Sequence, residues 1–149
     1  MEKIRKNLKL TSFCILLVTT FRLITSFLTF FNGGLEVTAE MIPAGSTREV
    51  VYISLLIAWI LGLIFFLPSY YVGFKGLKVA KNPEGTGKAH IVWATIMLVF
   101  SIISVISMAG NLSSSANTTM ATFELVEVVF CGLLYLFYVV EAKKLRANS

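Results

Sequence analysis

Four runs of apolar residues govern what this chain can become: Leu10–Phe31, Val51–Val72, Ala89–Met108 and Met120–Val140. At 1.5 Å of rise per residue, about 20 helical residues cross the roughly 30 Å of hydrocarbon in a bilayer. Each run is that long. In hydrocarbon every backbone N–H and C=O must find a partner within the protein, so only helices or closed barrels cross it. Runs of this length specify helices. Composition agrees, with 56% hydrophobic and 14% charged residues, where soluble chains carry about a quarter charged. The expected fold is an all-α integral membrane protein, a single domain over 1–149 that forms a bundle of four transmembrane helices in two hairpins.

The charges orient it. Lys3, Arg5, Lys6 and Lys9 precede the first run, Lys75, Lys78, Lys81 and Lys88 join the second to the third, and Lys143, Lys144 and Arg146 follow the fourth. Of the 13 Lys and Arg residues, only Arg22 and Arg48 remain. The positive-inside rule then places both termini and the middle connection in the cytoplasm of a cell membrane. This accounts for the net charge of +5 without nucleic-acid binding. The same cytoplasmic Lys and Arg residues are expected to attract anionic lipid headgroups. The first run exceeds the 7–15 residues of a signal-peptide core, which predicts a retained first helix.

Little in the connections carries chemistry. Asn32-Gly-Gly34 is expected to end the first helix, with Leu35–Met41 forming a turn or two at the interface. Ser46-Thr-Arg-Glu49 matches a capping box and predicts the start of the second. Around Gly87-Lys88 the phosphate-loop pattern fails twice, because Asn82 stands in place of the first Gly and Ala89 in place of Ser or Thr. Cys14 and Cys131 form no metal or disulfide pattern and read as small buried hydrophobes. Tyr70, Tyr71, His90, Trp93, Tyr135 and Tyr138 fall where interfacial residues belong, with His90 expected to be solvated beside lysines. No cofactor is expected.

Arg22 is the anomaly. Insertion scales put an arginine at a helix centre at a cost of about 2.5–3.5 kcal/mol, and such residues usually face a bundle interior or a wet cavity. Arg22 lies 13 residues beyond Lys9, about 20 Å above the inner boundary. Counting back from Lys143, Glu127 lies about 24 Å up and Glu124 about 28 Å. The two glutamates share a helix face. An intramembrane ion pair Arg22–Glu127 is therefore expected, with Glu124 as second acceptor. A supporting polar seam is read in Ser12, Thr19, Ser26 and Thr29 on the first helix and in Ser101, Ser104 and Ser107 on the third. On the second helix Ser54, Ala58 and Gly62 form a small-residue stripe that allows close approach of a neighbouring helix, in this chain or in another copy. Pro68 predicts a kink at its inner end.

These features weigh against catalysis. The chain has no Asp, one His and no Ser-His-acid set. Small multidrug-resistance transporters also have four helices, but they carry their key glutamate on the first, where this chain has Arg22. The expected function is association within the membrane, as an accessory subunit or a protective, immunity-type protein of a membrane complex. The expected partner is another membrane protein or a second copy, and the composition suits a bacterium. The alternative is a small ion-, proton- or substrate-coupled transporter using the intramembrane Glu and Arg residues.

Overall fold

The computed structural model describes residues 1–34, 42–43, 45–82, 87–111 and 118–148. Among them all regular structure is helical: α1 Glu2–Thr29, a π-helical turn Phe30–Gly34, α2 Arg48–Ile64, α3 Phe66–Lys81, α4 Ala89–Asn111 and α5 Thr118–Ala147. Four helical segments are long and apolar enough to cross a membrane: Glu2–Asn32, Arg48–Lys81, Ala89–Gly110 and Thr122–Ala147. The turns expected at Leu35–Met41 lie outside the described residues.

The helices run further than the apolar runs at their basic ends. α1 begins at Glu2 rather than Leu10, α3 continues to Lys81 rather than ending near Val72, and α5 reaches Ala147 rather than Val140. Hydropathy marks where the solvent changes, not where the backbone must stop. Lys, Arg, Glu and Leu propagate a helix well, and cations near a C-terminus complement its partial negative charge. Lys78 and Lys81 close α3, and Lys144 and Arg146 close α5.

Two other boundaries differ from expectation. The cap of α2 is Thr47, one residue past Ser46, and its side chain accepts from the Val50 N–H at 3.4 Å. The reciprocal arm that Ser46 and Glu49 would form is replaced by this single bond. Just before it, Ser46 N–H closes a turn on the Pro43 carbonyl at 3.0 Å, around Gly45 at φ +88. Further on, the expected kink is a break at Phe65, whose N–H turns back to the Gly62 carbonyl at 3.1 Å. Pro68 sits in the first turn of α3, where its missing N–H costs least. It has nothing to offer the Ile64 carbonyl, so one long apolar run becomes two helices. The π turn shows that Asn32-Gly-Gly34 ends the α-helical geometry of α1 but keeps the chain helical through Gly34.

The chain divides into two compact units, Met1–Val18 with Pro68–Ser149, and Thr19–Leu67. The first holds most of the core. α5 contributes Cys131, Tyr135, Tyr138, Ala142 and Leu145, at alternating steps of four and three residues, and α1 contributes Leu8, Ser12 and Ile15 in the same rhythm. That spacing keeps one helix face turned toward its neighbours. Val72, Val79 and Ala80 of α3 and Ile91 and Ala94 of α4 complete it. Leu8, Val79, Ala142 and Leu145 all lie beyond the four apolar runs, yet none is more than 4% exposed. The centre of packing is therefore at the basic end.

In the second unit Trp59 is the organising side chain. Its indole N–H donates to Ser26 Oγ at 3.1 Å. Its ring stacks on Phe30 at 4.0 Å and meets Phe27 edge-on at 5.0 Å. Trp59 is half-buried, and α2 has no buried residue. Hydroxyls elsewhere in the helices are absorbed locally: Thr11 donates to the Asn7 carbonyl, Ser54 to Val50, Thr95 to Ile91 and Ser101 to Met97, at 2.8–3.0 Å. Such back-bonding lets Ser and Thr ride in an apolar helix without an outside partner.

Candidate functional site

The polar residues that the fold buries most deeply gather around α3. Ser69, Gly73, Gly76 and Ala80 lie on one face of that helix, at steps of four, three and four, and all are buried. Small residues let helices approach closely. At Gly76 the approach leaves no room for a side chain: a Cβ there would overlap Ser12 Oγ and the Tyr138 ring, and would lie 2.8 Å from Tyr138 Oη. At Gly73 a Cβ would fall 2.6 Å from Leu16 Cγ and Cδ2. α1, α3 and α5 thus meet at Gly76.

Two tyrosines one helical turn apart on α5 line this meeting point and differ in one respect. Tyr135 Oη donates to Ser69 Oγ at 2.6 Å, a buried bond. Tyr138 is fully buried, and its Oη has no hydrogen-bond partner. His90, near the start of α4, meets the Tyr138 ring edge-on at 6.1 Å. It is 3% exposed, and its Nδ1 also has no partner. The solvated interfacial histidine expected from sequence is corrected here: His90 shares the face of Ile91 and Ala94, which turns it inward. Tyr135 and Tyr138 are likewise core residues rather than interfacial ones, while Tyr71 and Trp93 stay about 40% exposed.

Charges rim this core. Lys75 and Arg146 lie within electrostatic reach of His90. Glu141 Oε1 lies 3.5 Å from Lys144 Nζ, whereas Glu141 Oε2 and Arg5 Nε are buried without hydrogen-bond partners. Among the described residues no group of three or more His, Cys, Asp or Glu is placed to hold a metal ion. The arrangement packs helices tightly and keeps several polar atoms out of water.

The residues singled out in the sequence fare unevenly. In the first-helix seam Ser12 and Thr19 are buried and Ser26 receives the Trp59 N–H, while Arg22 and Thr29 are exposed. Ser12 donates to the Leu8 carbonyl at 2.6 Å. Ser101 and Ser104 are half-buried on α4 and Ser107 is exposed. A Cβ on Gly132 of α5 would lie 3.3 Å from Ser101 Cβ, so this part of the seam is a helix contact. Glu124 and Glu127 are exposed on α5, in the first unit, and Arg22 belongs to the second. Cys131 is buried and Cys14 half-buried, both as free thiols.

The stripe Ser54, Ala58 and Gly62 is uncovered within this chain. All three are exposed, and nothing lies within 4 Å of where a Gly62 Cβ would be. Within this chain the packed small face is Ser69-Gly73-Gly76-Ala80, which sequence reading missed. The same spacing rule would have found it, since Gly73 and Gly76 lie in the helix that outlasts the apolar run. No family model, curated protein or solved structure matches this chain.

Proposed function

We propose that this is a multi-pass membrane protein, with both termini on the cytoplasmic side, that works by helix association rather than catalysis. In this reading it serves as an accessory subunit, or as a protective, immunity-type protein, of a membrane complex. The observation that carries the reading is α2. A helix of 17 residues has no buried residue and presents Ser54, Ala58 and Gly62 uncovered. Small residues at that spacing are what an approaching transmembrane helix uses. The basic residues at the packed end support the orientation by the positive-inside rule.

The test is affinity purification of the tagged chain in mild detergent, with the mass of the intact complex and the identity of its members. A stoichiometric foreign membrane protein is the expected result, lost when Ala58 and Gly62 are replaced by Leu. A monomer that brings nothing with it overturns the reading and shifts the case to transport. The next measurement would then be proton or substrate flux with Glu127→Gln. The pairing of Arg22 with Glu127 rests on their matched depths in the sequence. Exchanging the two charges should restore accumulation that each single change lowers.

A further inference from the structure

Along one side of α4, Val92, Thr95, Ile96, Val99 and Ile103 line an open groove of about 590 Å³ that also reaches Lys143 of α5. These α4 residues recur at three- and four-residue steps, one face of a helix. The Thr95 hydroxyl is already spent on the Ile91 carbonyl at 2.8 Å, so the wall is apolar along its length. The one charge is Lys143. α4 and α5 are antiparallel, because His90 meets Tyr138 while Ser101 faces Gly132. Lys143, five residues past Tyr138, therefore stands level with the start of α4. The groove has a cation at the basic end and hydrocarbon everywhere else.

The charge at its end and its length decide the occupant. From Ile91 to Ile103 the wall runs about 18 Å at helical rise, a little over half of the roughly 30 Å of hydrocarbon in a bilayer and so the reach of one acyl chain. Lys143 at the basic end complements a phosphate. We infer that the groove holds one acyl chain of an anionic glycerophospholipid, with the lipid phosphate on Lys143 Nζ. The apolar wall exchanges one lipid chain for another at little gain, so the selectivity comes from Lys143. The inference needs the membrane insertion proposed above but no partner protein and no particular orientation.

The test uses the full chain in neutral detergent, titrated with equal amounts of dioleoyl phosphatidylglycerol and dioleoyl phosphatidylcholine and read by native mass spectrometry. The first lipid retained should favour phosphatidylglycerol by about fivefold, the worth of one lysine at an anionic surface. Lys143→Gln should bring the two to parity. Lys144→Gln should not, because Lys144 already lies beside Glu141. Val99→Trp, at a site about half exposed, should lose the retained lipid of either kind while the helical melt stays unchanged. A preference that survives Lys143→Gln, an equal loss in Lys144→Gln, a lipid retained in Val99→Trp, or a second copy of the chain in place of lipid would each overturn it. A chain without a protein partner would still give this result, so the two readings fail separately.

Discussion

α2 and the start of α3 belong to one apolar run, and both helices carry a stripe of small residues, yet they differ in burial. α3 buries Ser69, Val72, Gly73, Gly76, Val79 and Ala80, and α2 buries nothing. The difference does not lie in the stripes. It lies in what the fold brings opposite them: Tyr135 and Tyr138 of α5 and Leu8, Ser12 and Leu16 of α1 converge on α3. A row of small side chains is a groove, and a groove becomes a contact only where another helix supplies bulk at matching spacing. In α2 the large apolar residues Ile53, Ile57, Ile60 and Leu61 point outward beside the small ones.

The largest effect that this comparison predicts is at Gly76. Gly76→Ala places a methyl on Ser12 and Tyr138, and should cost about 1–3 kcal/mol in detergent unfolding, the usual range for overpacking. A change near zero would dissolve the contrast between the helices. Next comes Tyr135→Phe, which leaves Ser69 without its buried donor. Hydrogen bonds between membrane helices average about 0.6 kcal/mol with a maximum near 1.7, which bounds the expected loss. Gly62→Ala should go the other way, stabilising by up to about 1 kcal/mol, because a helix-interior glycine is replaced where nothing stands in the way. A clear loss there, with no partner present, would mean that α2 packs after all. Tyr138→Phe should be the smallest, neutral or slightly favourable, since it deletes a buried hydroxyl with no hydrogen-bond partner. If it instead costs as much as Tyr135→Phe, that hydroxyl has a partner.

The four membrane-length helical segments were legible in the sequence because length and hydropathy carry them directly, whereas the break at Phe65 that divides the second was not. The basic-end extensions were not, since good helix formers such as the Lys and Glu of α5 read equally well as loop. His90 and the two tyrosines were misplaced for a related reason. An amphipathic ring near an interface fits headgroups by depth and a core by direction, and only direction distinguishes them. Period did hold that direction: His90 and Ala94 are four apart, and Tyr135 and Tyr138 three, each pair on one face. On α1 the seam divides: Ser12 and Thr19 are buried and Ser26 half-buried, whereas Arg22 and Thr29 are exposed, because a three- and four-residue rhythm marks a stripe wider than the face a neighbour covers. For the small-residue stripe of α2, spacing named a face and not its neighbour.

The claim on which the rest stands is that α1 packs on α3 at Gly76, at the basic end. Ser12 Oγ overlaps the position of a Gly76 Cβ, so the two positions should couple, because residues in contact do not act additively. The measurement is detergent unfolding of Gly76→Ala, Ser12→Ala and the double variant. Gly76→Ala should cost less once the Ser12 hydroxyl is gone, with a coupling of about 0.5–3 kcal/mol. Costs that simply add would contradict it.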